Sequence, residues 1–192
     1  MTLIPSPIGI RLRVLCGRAT LVGVVMFVAI VVPLHWLQPG YEPANQLISE
    51  LALGRYGWTM LFAFAGLALA ACAVQFAIAT YGASPSLRGL LAGAALFFLA
   101  AGVFPLGTMS EIHIAAIAIA FVLSVLAMYL YPEKAGRAAP ATPRLLSWPL
   151  AAGVVAGVAL GHSIFPMGIG QRLAAICLLI WLAVLGWRLA RQ

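Results

Sequence analysis

Six uninterrupted apolar runs divide this chain, and each is long enough to cross a bilayer. They cover Ala19–Leu37, Trp58–Tyr81, Leu87–Leu106, Ile112–Tyr131, Leu145–Phe165 and Arg172–Leu189. A hydrocarbon core about 30 Å thick takes about 20 residues of helix. In lipid the backbone must satisfy its own hydrogen bonds, which leaves helices or closed barrels. These runs are continuous rather than alternating ten-residue segments, so helices are expected. The composition agrees, with 64% hydrophobic and 8% charged residues, against about 25% charged in soluble domains. The expected fold is all-α: one polytopic transmembrane bundle spanning the whole chain.

Orientation follows from lysine and arginine. With the N-terminus in the cytoplasm, the inside segments hold Arg11, Arg13, Arg18, Arg88, Lys134, Arg137, Arg144, Arg188 and Arg191. The outer loops hold only Arg55 and Arg172. This asymmetry puts both termini in the cytoplasm and the protein in the inner (plasma) membrane. The same cations account for the net charge of +7. No basic run with interleaved aromatics occurs, so a nucleic-acid partner is not expected. Arg11, Arg13 and Arg18 precede the first run as in a signal peptide, but no small-residue cleavage site follows, and a retained first helix is expected. Cys16, Cys72 and Cys177 are scattered without CxxC spacing and read as small packing residues.

Two connections are long. Pro132–Arg144, rich in Pro, Ala and Lys/Arg, reads as a mobile cytoplasmic linker between four helices and two. The other joins the first two runs on the outer side. Its Pro39-Gly40 and Glu42-Pro43 pairs signal turns. From Asn45 to Gly54 the pattern fits a short interfacial or re-entrant helix, with Leu47, Ile48, Leu51 and Leu53 as its apolar face, Asn45 as its cap and Gly54 as its stop. Gly153, Gly157 and Gly161 form a smooth stripe on the fifth run, and Gly89 with Gly93 a shorter one on the third, so close helix approach is expected at both.

The polar residues are one-sided. His35, Glu42, Asn45, Gln46, Ser49, Glu50, Glu111, His113, His162, Gln171 and Arg172 all fall on the outer side, while the inner side has one acid, Glu133. Ionisable residues at membrane depth are costly and mark function by default. Three histidines and two glutamates would suit a divalent metal, yet Glu111 and His113 stand at i, i+2 and diverge on a helix. His113 and His162 lie on different helices, so a single outer haem b is geometrically open. Ser49 beside Glu50, and Ser110 or Ser163 near a histidine, lack the GxSxG context of a hydrolase nucleophile. Glu50 or Glu111 could instead pair with Arg55 or Arg172 and close the outer mouth. No broken helix or mid-membrane charge pair points to transport.

Pro39-Gly40-Tyr41-Glu42-Pro43, then Ile48-Ser49-Glu50-Leu51-Ala52 and Gly57-Trp58, resemble the signature of the DUF998 family of bacterial and archaeal six-helix membrane proteins. Phe104-Pro105, His113 and Gln171-Arg172-Leu173 extend the resemblance over nearly the whole chain. Where that family often has an Asp after the Phe-Pro turn, this chain has Leu106-Gly107-Thr108, and Glu111 is the nearest substitute. The resemblance implies no established activity; it implies that the outer cluster is a shared site.

The residues together give a polar pocket at the outer face, formed by Tyr41, Glu42, Asn45, Ser49, Glu50, Glu111, His113, His162, Gln171 and Arg172. Its expected occupant is a lipid head group, a small ligand or a segment of a membrane-protein partner. Arg172 and Asn45 would donate to an anionic group, with Glu50 orienting Arg172. No cofactor is expected. The alternative is a membrane enzyme, or a haem or metal redox protein, using His113 and His162 with Glu50 or Glu111 as acid, base or ligand.

Overall fold

The structure is a computed structural model and describes residues 7–161 and 163–192. The chain is all-helical among the described residues. Its six helices are α1 (Pro7–Leu37), α2 (Met60–Ala79), α3 (Pro85–Val103), α4 (Ser110–Lys134), α5 (Ala141–Leu160) and α6 (Met167–Ala190). All six are long and apolar enough to cross a membrane. Large apolar side chains such as Val25, Leu96, Val122, Val155 and Ile176 stand exposed around the bundle, which only a lipid solvent makes favourable. This is a multi-pass membrane protein. The end carrying residues 38–59 is called outer below, after the charge asymmetry.

Several helices outrun their apolar cores. The 31 residues of α1 reach about 46 Å, so its basic inner turns project beyond the hydrocarbon. There Arg13 donates to Thr80 Oγ1 at 2.8 Å and to the Thr80 carbonyl at 3.0 Å. Its guanidinium also stacks on the Tyr81 ring, 3.8 Å from the centroid. α4 continues through Pro132 to Lys134 and α5 begins at Ala141. The link between them is therefore 135–140, shorter than the 132–144 expected. A proline in the last turn does not stop a helix whose remaining carbonyls reach solvent. α6 starts at Met167, after Pro166, so Gln171 and Arg172 lie on its second turn rather than at its start.

The helices pack in chain order around a ring, each against the next; α6 closes on α1, and α2 meets α6 across the middle. Glycine sets the closest approaches. A Cβ on Gly23 would meet the Gly66 carbonyl, joining α1 to α2. On the glycine stripe of α5, Gly157 faces Gly170 and Ala174, and Gly153 faces Cys177. The partner of that stripe is α6. The α3 stripe divides: Gly93 packs on Leu123 of α4, whereas Gly89 faces open space. α4 and α6 meet where Tyr131 stands edge-on to Trp181, with 5.6 Å between ring centroids.

Candidate functional site

Residues 38–59 fold into a cap over the outer end of the bundle. Gly40, at φ +76°, makes the turn that brings Tyr41 back under Gln38. A second turn follows, with Asn45 N–H and Gln46 N–H both donating to the Glu42 carbonyl, at 3.1 and 2.9 Å. Side chains reinforce it: Asn45 Nδ2 donates to Glu42 Oε2 at 3.1 Å, and Glu42 N–H to Gln46 Oε1 at 2.7 Å.

The expected short helix over Asn45–Gly54 is a 3₁₀ helix, Ile48–Leu53, and its N-cap is Leu47, not Asn45. The reason is Glu50. Its Oε1 accepts from Leu47 N–H at 2.9 Å, half of a capping box, and its charge sits where an N-terminal helix dipole favours it. Oε2 accepts from Gln46 Nε2 at 3.2 Å. Gln38 braces the far end: with its amide turned so that nitrogen and oxygen suit their neighbours, it donates to the Leu51 carbonyl at 3.1 Å and accepts from Gly54 N–H at 3.3 Å. Leu51 is wholly buried beneath the cap.

The cap is pinned to α6. Gln171 Oε1 accepts from Ile48 N–H at 2.6 Å, and Ile169 N–H donates to the Ala44 carbonyl at 3.2 Å. Gly168 lets the chain at 43–46 lie directly on the helix, because a Cβ there would strike the carbonyls of Pro43, Ala44 and Gln46. Arg172 makes the densest set of bonds. Nη1 donates to the carbonyls of Gln46 and Gly168, both at 2.9 Å. Nη2 donates to the Tyr41 hydroxyl and, at 2.9 Å, to His35 Nε2.

His35 brings α1 into the same network. Its Nδ1 faces the Val31 carbonyl at 2.7 Å. A carbonyl only accepts and a guanidinium only donates, so His35 carries its proton on Nδ1 and offers Nε2 to Arg172. Tyr41 stands edge-on to the imidazole, 5.2 Å between centroids, and its hydroxyl donates to the Leu47 carbonyl at 2.8 Å. Burial pushes the Tyr41 phenol above its ordinary pKa; the Arg172 hydrogen bond and charge oppose this, and Glu50 adds to it.

The residues expected to form one pocket are therefore distributed. Tyr41, Glu42, Asn45, Glu50, Gln171 and Arg172 share the cap network. Ser49 is buried beneath it and lines a crevice between the helices. Glu111 is exposed in the first turn of α4. His113 is 1% exposed and lies apart from the cap. Its Nδ1 donates to the Ala101 and Phe104 carbonyls, at 2.8 and 3.0 Å, so it caps the C-terminus of α3. Its Nε2 is buried without a partner among the described residues. His162 lies outside the described residues.

Among the described residues no carboxylate comes within 4.0 Å of a lysine or arginine nitrogen. The expected pairing of Glu50 or Glu111 with Arg55 or Arg172 is not formed, and Glu50 does not orient Arg172; its oxygens are taken by Leu47 and Gln46. Nor does any group of three His, Cys, Asp or Glu converge as metal ligands among the described residues. The guanidinium of Arg172 is thus held wholly by neutral groups. Beside it, Val32, His35, Trp36 and Pro43 line an open groove at the outer end of α1, with Trp36 78% exposed. His35 and Gly168 were absent from the expected site. The His35-Trp36 pair closing the first run and the small residue four before Arg172 were the signals for them.

The family model described as "Protein of unknown function (DUF998)" matches residues 21–188. Neither a curated protein nor a solved structure matches the chain.

Proposed function

We propose, for a chain that belongs to the DUF998 family, that this is a membrane-embedded binding protein whose outer cap takes the anionic head group of a membrane lipid. The observation that carries this reading is Arg172. Its charge is partly buried, is surrounded by neutral acceptors and has no carboxylate partner among the described residues. A cation so placed is left without the counter-charge that burial calls for. A lipid phosphate in the outer leaflet supplies one. The groove at His35 and Trp36 is where it would lie, the exposed indole at the membrane–water interface beside it. The lysine and arginine asymmetry supports an inner-membrane location with both termini cytoplasmic.

Native mass spectrometry after exchange into phosphatidylglycerol or phosphatidylcholine tests this reading. Phosphatidylglycerol should be retained preferentially. Trp36→Ala, which removes an exposed side chain and leaves the cap network intact, should lower that retention several-fold, and Arg172→Gln should abolish the preference. Equal retention of both lipids by the native protein would contradict the reading.

A second reading has one observation in its favour. An imidazole with Nδ1 fixed on backbone carbonyls and Nε2 unpartnered is oriented as metal- or haem-ligating histidines are, and His113 has that form. A Soret band or stoichiometric metal in the purified protein, lost in His113→Ala, is its test.

A further inference from the structure

The hydrogen bond between His35 and Arg172 admits only one state of the histidine. His35 Nδ1 donates to the Val31 carbonyl at 2.7 Å, and Nε2 accepts from Arg172 Nη2 at 2.9 Å. The accepting lone pair exists only on the neutral ring. A second proton on this imidazole has one place to go, Nε2. It turns the acceptor into a donor and sets two cations face to face, with N–H groups on both sides and no acceptor between them. Like charges so close favour either loss of the proton or arrival of an anion.

The neighbouring elements do not supply that anion. α1 packs against α2, α6 and the 3₁₀ helix of the cap. α2 has no titratable side chain except Cys72, in its inner half. α6 presents Arg172. The cap presents Tyr41, edge-on to His35 with 5.2 Å between centroids, and Glu50, which interacts electrostatically with Tyr41. The Glu50 oxygens are taken by Leu47 N–H and Gln46 Nε2, and the exposed Glu42 holds Asn45. Among the described residues no carboxylate lies within 4.0 Å of His35. The pair is nevertheless reachable from outside. His35 and Arg172 are both partly exposed, and His35 lines the open groove with Val32, Trp36 and Pro43.

We propose that His35 is a proton switch for this groove: an anionic phosphodiester head group binds with uptake of one proton at His35 Nε2. The inference rests on the head-group reading above and adds its regulation. One non-bridging oxygen accepts from the His35 imidazolium, and the other accepts from the Arg172 Nη2 N–H that neutral His35 otherwise occupies. The proton comes from solvent and no covalent bond to carbon or phosphorus changes. The bound form holds more protons than the free form, so affinity rises as pH falls through the ordinary imidazole range, about pH 6.5. At higher pH the free protein keeps Arg172 bonded to the neutral ring.

The test is retention of radiolabelled phosphatidylglycerol over phosphatidylcholine by the full chain in detergent, from about pH 8 to about pH 5.5, where the phosphodiester stays singly charged. The preference should grow about fivefold or more toward the acid end. His35→Gln, whose amide oxygen can still accept from Arg172 but does not titrate, should flatten the profile whatever its level. Calorimetry of the native protein near pH 6.5, in two buffers of different ionisation enthalpy, should show net proton uptake on addition of phosphatidylglycerol. A preference that is constant with pH, without proton uptake, overturns the switch and leaves the head-group reading standing. A pH-dependent preference that persists in His35→Gln places the proton on another group and overturns the switch as well. No preference at any pH overturns both.

Discussion

Arg172 ties three pieces of chain together with one planar group. Its four terminal N–H directions meet the Gln46 and Gly168 carbonyls, the Tyr41 hydroxyl and His35 Nε2. Lysine has a single ammonium and cannot reproduce that fork. Arg172→Lys should therefore lower stability by about 2 kcal/mol, read as a lower unfolding midpoint in detergent. Tyr41 gives a pH signature at the same place. Its phenol is raised above the ordinary value, chiefly by burial, so the folded protein holds this proton longer than the unfolded chain does. Stability from this group is complete below about pH 10, the unfolded tyrosine value, and falls as pH rises from there toward the folded value. A late tyrosinate transition that disappears in Tyr41→Phe would establish it. The same substitution should cost about 1 kcal/mol at neutral pH through the lost hydrogen bond.

At the scale of elements, glycine spacing and turn chemistry carried most of what could be read from the sequence. The stripe Gly153, Gly157, Gly161 indicated a close approach, and the structure identifies α6 as the partner. Sequence spacing cannot name a partner helix, because a smooth face is complementary to any other smooth face. Gly89 illustrates the same limit, since it continues the α3 pattern and yet faces open space. The two sites make a matched pair. Gly157→Val should overpack α5 against α6 and cost about 1–3 kcal/mol. Gly89→Ala should be neutral, or stabilising by up to about 1 kcal/mol, as a better helix former in an open position. Thermal unfolding of the two variants side by side checks both. The cap was legible as a turn-rich segment with an apolar short helix, but its 3₁₀ form and Leu47 start were not. Those follow from Glu50 reaching back to Leu47 N–H and Gln171 reaching across to Ile48 N–H, and the second contact spans more than a hundred residues.

For the whole molecule, six spans and a one-sided distribution of polar groups were readable because lipid leaves so few alternatives for a backbone. The separation of that polar set into a cap, an α3 C-terminal histidine and a crevice hydroxyl was not readable. It depends on how the ring of helices closes, which brings His35 of α1 to Arg172 of α6 while His113 stands edge-on to Phe64 and bonds to the end of α3. Orientation is directly measurable. With the native cysteines replaced, Asn45→Cys is exposed on the cap and should react with an impermeant thiol reagent added outside intact cells. Lys134→Cys should react only after permeabilisation. The opposite pattern would invert the bundle.

The most direct measurement is an experimental density map of the protein in nanodiscs containing phosphatidylglycerol. The account predicts an ordered cap pinned by Gln171 and Arg172, with head-group density against His35, Trp36 and the Arg172 guanidinium. An ordered cap beside an empty groove, or Arg172 paired instead with a carboxylate of its own chain, would contradict it.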